Sequence, residues 1–330
     1  MAEIITSRRA ITGLALAPAL LGRARAQPSS GFPNRAVTVV VPFPPGGLGD
    51  LAARPVAMQM ARSLGVGMPV LNRTGGGGTV GTASVARAAP DGHMLLMTVS
   101  SLPVLPEADR LNGRPAGYEL SDFTPLARVA ADPTVLAVPA SAPWRTVQDL
   151  IEAARRSPDT IPYGSSGNYG TVHVAMEMFA LAAGIRFLHV PFQGAGPAVT
   201  ALLSGTVQAS AVAPGVAHAH AADGRLRVLA NWGRQRLPAF PDAPTFRELG
   251  LMDAEFYIWA GLFAPRGLSG VVSARLREAA REAILSPETA RVLDAAGTPV
   301  AYQDAPDFAA FVAEDAARVV PVVQRIGRVE

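Results

Sequence analysis

Ser165 and Ser166 stand inside Gly164-Ser165-Ser166-Gly167-Asn168, ahead of His173, and Asp50 closes Pro44-Pro45-Gly46-Gly47-Leu48-Gly49-Asp50. A serine nucleophile would need the G-x-S-x-G turn, and that spacing fails at both serines. The five histidines, His93, His173, His189, His218 and His220, include no pair placed near an acid. His218 and His220, two residues apart, point away from each other on a helix, so no zinc site is expected. Gly76-x-Gly78-x-x-Gly81 matches the dinucleotide fingerprint as a string. Its preceding strand is short, however, and the next one ends in Ser100-Ser101, where an acid would be needed for the ribose. Every basic residue is arginine, which removes a Walker-type phosphate loop and Schiff-base chemistry. The chemistry left is capture of an anion by glycine-rich turns, with no catalysis, cofactor or metal; a nucleotide-cofactor dehydrogenase is the enzyme alternative.

The elements that must position these groups follow a repeating order of strand, glycine-rich loop and helix. Residues 37–43 (VTVVVPF) are a β-branched run without alternation, as in a parallel strand buried on both faces. A helix is expected over 51–64, with Asp50 as its N-cap or, alternatively, as the partner of a ligand ammonium. Later units are a strand at 68–71 with a helix over 80–89, a strand over 93–99, and extended segments within 123–138 around Asp132-Pro133. A helix is expected over 146–157, a strand at 161–163 before a helix over 172–183, and a strand at 187–191 before a helix over 197–203. Residues 102–122 read as irregular. His173 falls in the first turn of its helix, bonded either to a neighbouring backbone group or to a ligand. This alternation makes the fold class α/β, a mixed sheet flanked by helices, with ligands at the carboxyl ends of the strands. Several helix starts aimed at one point would form an anion site.

The chain has 330 residues, 49% of them hydrophobic, enough for one large or two medium domains. Residues 1–26 read as an export signal: a basic start, an apolar run over 11–21 and Ala24-Arg25-Ala26 as the cleavage site. Ser7-Arg8-Arg9-Ala10-Ile11 resembles a twin-arginine pattern. Arg8, Arg9, Arg23 and Arg25 against Glu3 account for the whole formal charge of +3, so the mature chain is near neutral. With scattered basic residues, no nucleic-acid partner is expected. Cysteine is absent, which rules out a disulfide framework or a thiolate nucleophile. The expected location is the periplasm.

Eight motifs then occur in order: Phe32-Pro33-Asn34-Arg35, Val41-Pro42-Phe43-Pro44-Pro45-Gly46-Gly47-Leu48-Gly49-Asp50, Asn72-Arg73-Thr74-Gly75-Gly76-Gly77-Gly78 and Ala88-Ala89-Pro90-Asp91-Gly92 lead the series. Tyr163-Gly164-Ser165-Ser166-Gly167-Asn168, His189-Val190-Pro191-Phe192-Gln193-Gly194, Pro241-Asp242-Ala243-Pro244-Thr245 and Trp259-Ala260-Gly261-Leu262-Phe263-Ala264-Pro265 complete it. With them the chain resembles the Bug/TctC family of periplasmic solute receptors, the extracytoplasmic components of tripartite tricarboxylate transporters. The resemblance implies a two-lobed Venus-flytrap fold, with lobe 1 formed by residues 27–130 and 255–330 and lobe 2 by 131–254. It implies a monomer that grips a small carboxylate and hands it to membrane permease subunits or, alternatively, signals through a membrane sensor protein.

The ligand-binding residues expected on lobe 1 are Phe43, Pro44, Gly46, Gly47, Gly49, Asp50, Ser100 and Ser101. On lobe 2 they are Ser165, Ser166, Gly167, Asn168, Thr171, His173, Gly194, Ala195 and Gly196. The sequence departs from the family pattern at Leu71, His93 and Gln208 and is bland over 211–215 (AVAPG), which bears on specificity for the distal end of the ligand.

Overall fold

The β-branched run near the start does form a buried strand. In the computed structural model, which describes residues 31–329, Val39, Val40 and Val41 of β1 (Thr38–Val41) are buried. The expected export signal, residues 1–26, lies outside the described residues. The chain continues through α1 (Leu48–Leu64), β2 (Val70–Asn72), α2 (Thr79–Ala86), β3 (Met94–Val99) and α3 (Leu105–Leu111) to the long β4 (Phe123–Asp132). The helix α3 falls in the stretch expected to be irregular. Pro106 in its first turn occupies a position where no N–H is needed, so the proline there favours a start and not a break.

A second set of elements follows: β5 (Val135–Pro139), α4 (Val147–Arg156), β6 (Pro162–Ser165), α5 (Thr171–Ala183), β7 (Leu188–Pro191), α6 (Ala195–Leu203), β8 (Ser210–Val212), α7 (Pro214–Ala222) and β9 (Leu226–Asn231). The chain then returns to the first set with β10 (Ile258–Pro265), α8 (Gly270–Ile284), α9 (Pro287–Ala295), β11 (Val300–Asp304) and α10 (Ala305–Ile326).

The first sheet has the order β11-β4-β10-β3-β1-β2. In it β1, β2 and β3 run parallel, β10 is antiparallel to both β3 and β4, and β11 is antiparallel to β4. The second region has β8-β5-β9, with β5 antiparallel to both neighbours, and the parallel pair β6-β7. A parallel bridge between Tyr163 and Ala209 aligns β6 with the approach to β8. Direction matters for function. The helices α1, α2, α3, α5, α6 and α7 each begin where one of these co-directional strands ends, whereas α4, α8 and α10 follow strands that run the other way.

Each region carries its own aromatic core. On the first, Trp259 and Phe263 of β10 meet Phe308 of α10, with ring centroids 5.6 and 5.1 Å apart. Gly261 makes that packing possible, because a Cβ there would lie 2.2 Å from the Phe308 ring. On the second, Trp232, Phe179 and Phe246 interlock at 4.7 to 6.5 Å. Burying each such side chain contributes roughly 1.5–3 kcal/mol.

Two strand crossings and one helix join the regions. Trp232 N–H donates to Thr134 C=O beside the first crossing, and Phe256 N–H donates to Trp232 C=O beside the second. Helix α10 buries Phe308 and Val312 in the first core, and Val319 and Val323 in the second. Backbones also meet directly at Gly215 and Gly297, where a Cβ added to either would fall 2.8 Å from the other's Cα.

Asp315 of α10 is 1% exposed and accepts a bond from Trp259 Nε1 at 2.8 Å. Burial pushes its carboxyl up to about 6, against the pull of the Trp259 bond and the Arg318 charge. A carboxyl that is harder to ionise when folded favours the folded state at low pH, and that advantage is lost as pH rises through about 6. Asp315→Asn keeps an acceptor for Trp259. The melting temperature of the variant relative to the parent is therefore expected to be more favourable at pH 8 than at pH 5; a difference that does not change with pH would contradict the assignment.

Candidate functional site

Helix starts divide into two groups in this protein. The N-cap residues of α4, α8, α9 and α10, which are Thr146, Ser269, Ser286 and Asp304, accept a backbone N–H through their side chains. The N-caps of α1, α2, α3, α5, α6 and α7, which are Gly47, Gly78, Val104, Gly170, Gly194 and Ala213, make no such bond. These six are the helices that begin at the ends of the co-directional strands. In α2 and α3 the preceding turn takes the place of a cap, with Val80 N–H donating to Gly75 C=O and Val104 and Leu105 N–H to Ser101 C=O. The starts of α1, α5, α6 and α7 leave free N–H groups and the positive ends of helix dipoles where an anion can use them.

On the first sheet, Asp50 fixes the turn between β1 and α1. It lies in the first turn of the helix behind Gly47, which corrects the expectation that Asp50 itself is the N-cap and that the helix begins at residue 51. The glycine needs no side-chain cap because Asp50 reaches back to hold the loop. Its Oδ2 accepts from Gly46 N–H at 3.0 Å and Arg54 Nε at 2.9 Å, and its Oδ1 from Arg54 Nη2 at 2.8 Å and Asn72 Nδ2 at 2.9 Å. Burial pushes the carboxyl up, but these bonds outweigh it and hold Asp50 below the usual carboxylate range. Four bonds use the whole acceptor capacity of a carboxylate, which leaves none for a ligand ammonium.

Neighbouring turns converge on this one. Gly78, with φ +115°, sits where a Cβ would be 2.9 Å from the Phe43 ring and 3.4 Å from Leu105. At the end of β3, Ser100 and Ser101 are 0% and 5% exposed, and neither hydroxyl has a hydrogen-bond partner. A buried hydroxyl left in that state is costly, and the two lie at the end of the sheet where α1, α2 and α3 begin.

The second region presents uncharged groups. Ser165 Oγ lies 2.6 Å from His189 Nε2, and the His189 and His173 rings stack at 3.9 Å. Burial lowers His173 to about 3, with the neighbouring His189 adding to the effect, and burial alone lowers His189 to about 4. Both imidazoles are therefore neutral near pH 7. Phe192 N–H donates to Ser165 C=O at 3.0 Å, bringing the β6 and β7 turns together. An open depression of about 690 Å³ runs along one side of α6, from Phe192, Gly196 and Pro197 to Ser204 and Thr206 beyond its end.

The expected residues fall into distinct settings. Pro44, Gly46, Gly47, Asn168, Ala195 and Gly196 are exposed; Phe43, Ser166, Gly167, Thr171 and Gly194 are half-buried. Gly49 faces the sheet, where a Cβ would be 3.5 Å from Val41 and 3.7 Å from Val99. His173 Nδ1 accepts Tyr169 N–H at 2.9 Å, the backbone-bonded reading of the two. Among the described residues, no hydrogen bond or ring contact joins residues 44–47 to 165–171 or 193–196.

Arg54, Asn72, Tyr169 and His189 were missed as site residues. Asn72 opens the Asn-Arg motif ahead of the glycine run and Tyr169 lies between Asn168 and Gly170, so both had a positional signal. His189 opens the motif over 189–194, but its contacts come from a parallel strand pairing distant in sequence. Among the described residues no group of three or more His, Asp or Glu is placed to hold a metal, and no helix is long and apolar enough to cross a membrane.

The Tripartite tricarboxylate transporter family receptor profile matches residues 52–328. A UPF0065 protein from the tcbD-tcbE intergenic region of Pseudomonas sp. is 36% identical over 299 residues, covering 90% of this chain and 88% of its own. MatC from Rhodopseudomonas palustris with bound malate is 30% identical, with TM-score 0.74 over 88% of this chain and 100% of that one. A second R. palustris protein, with adipate, is 29% identical, with TM-score 0.75 over 89% and 98%. Structures similar to this one include periplasmic binding proteins with two lobes. The family is one of receptors and not of enzymes, which removes the dehydrogenase alternative. With that profile spanning most of its length, the chain belongs to the tripartite tricarboxylate transporter family of solute-binding receptors.

Proposed function

We propose that this protein is a periplasmic receptor that closes two lobes around a small organic carboxylate and delivers it to a membrane permease of the tripartite tricarboxylate type. The observation that carries this reading is the set of six uncapped helix starts at the ends of co-directional strands, with the partnerless Ser100 and Ser101 hydroxyls among them. In this reading, residues 27–130 with 255–330 form one lobe and residues 131–254 the other, with the end of α10 bracing the second. The leader over residues 1–26 would carry the chain to the periplasm. Support for the ligand class comes from two solved relatives, one with malate and one with adipate.

The energetics are sufficient without an arginine clamp. A hydrogen bond to a charged group contributes about 1.5–3 kcal/mol. Four such bonds near the upper value give about 12 kcal/mol, and about 4 kcal/mol for ordering and closing the lobes leaves roughly the 8 kcal/mol of a micromolar complex. The carboxylate would be met by N–H groups of residues 47–49 on one side and by the turns at 165–171 and 193–196 on the other. Asp50 serves this grip indirectly by holding Gly46 and the helix start in place.

In a thermal-shift panel of C4 to C8 mono- and dicarboxylates that includes malate and adipate, at least one acid is expected to raise the melting temperature by several degrees. Silence across the panel, with the protein shown to be folded and ligand-free, would contradict the reading.

Gly47 tests the first wall separately. Its φ of −80° suits any residue, and a Cβ there would meet nothing nearer than Pro44 O at 4.0 Å. Gly47→Val is therefore expected to melt like the parent while its affinity for the identified acid falls about 30-fold or more, the loss of one or two charge-assisted bonds. Unchanged affinity by titration calorimetry would show that the turn is structural only.

A further inference from the structure

Tyr169 adopts a backbone conformation that favours glycine, with φ +57°, although its side chain is buried in the second core. Its hydroxyl explains what holds it there. The O–H donates to Gly327 C=O at 2.7 Å and accepts from Val329 N–H at 2.9 Å and from Asn112 Nδ2 at 3.4 Å. One proton and two lone pairs are all that a phenol has, so every bonding position is used.

These partners lie outside the loop and outside its own sheet. Asn112 is the C-cap of α3, the helix that begins after Ser100 and Ser101, and Gly327 and Val329 follow the end of α10. The backbone N–H of Tyr169 donates to His173 Nδ1, anchoring the same residue to α5. The turn at 166–170 is thus tied to its own helix at one end and to α3 and the C-terminal tail through a single side chain.

We propose that Tyr169 is a positioning residue that couples the turn at 166–170 to α3 and to the tail, and so holds one wall of the carboxylate site in register with the wall that carries Ser100 and Ser101. The proposal rests on the reading of these turns as the two sides of that site. A phenylalanine would fill the same space in the core, so the hydroxyl, and not the ring, carries the coupling. Ligand release then requires the turn to part from the tail, and loss of the hydroxyl speeds release.

The test uses the full-length protein with Tyr169→Phe and Val329→Pro, singly and together. The second substitution removes a donor to the hydroxyl without touching the turn. Amide hydrogen exchange without ligand is expected to quicken about tenfold at residues 166–170 in each single variant, the worth of about one hydrogen bond. The double variant is expected to show no more than Tyr169→Phe alone. Stopped-flow dissociation of malate or adipate, whichever binds the parent, is expected to quicken by a similar factor while association changes little. Exchange at 166–170 that matches the parent, or variants that lower the melting temperature while exchange in the turn and release hold at parent values, would overturn the proposal. If the parent binds neither acid, the carboxylate reading loses its support, and the exchange result still decides whether Tyr169 holds the turn.

Discussion

Six helices start without a side-chain cap at the carboxyl ends of the co-directional strands, and four of them, α1, α5, α6 and α7, leave backbone N–H groups unsatisfied there. The constraint orders the rest of the structure. Parallel strands are needed so that successive helices begin at the same end, and glycine at four of the six N-caps lets another molecule approach the peptide plane. The helices that start elsewhere carry Thr146, Ser269, Ser286 and Asp304 as ordinary caps. The chain therefore has capping residues to use, and the places without them coincide with the ends where an anion would be bound.

Leaving those groups free requires other contacts to hold the turns. On the first sheet this is done by Asp50, whose carboxylate is saturated by Gly46, Arg54 and Asn72. On the second it is done by neutral groups, with Ser165 against His189 and Tyr169 against His173. The histidines are kept uncharged by burial, so an anion there would meet dipoles and not fixed positive charge. Two solved relatives hold malate in one case and adipate in another.

Much of the architecture was legible from local pattern. The run at 37–43, the glycine loops and the repeating strand-helix order placed the carboxyl ends correctly, because parallel buried strands write themselves as β-branched runs. The extent of α1 was misjudged since Asp50 is a strong N-cap type, and only the tertiary bonds to Arg54 and Asn72 show it working from inside the first turn. The α3 helix is hidden by Pro103 ahead of it, by Pro106 within it and by its shortness. The contacts of His189 and Tyr169 depend on a parallel pairing and on a tail more than a hundred residues away, separations that no window along the chain detects.

The central claim is that a carboxylate completes the uncapped helix starts, and backbone amide NMR reads those groups directly. Titration with an acid that binds should shift the amide protons at residues 47–50, 171–173 and 195–196 downfield, and leave those at the capped starts of α4, α8 and α10 unmoved. Saturable binding with the large shifts elsewhere, or spread evenly over capped and uncapped starts, would contradict it.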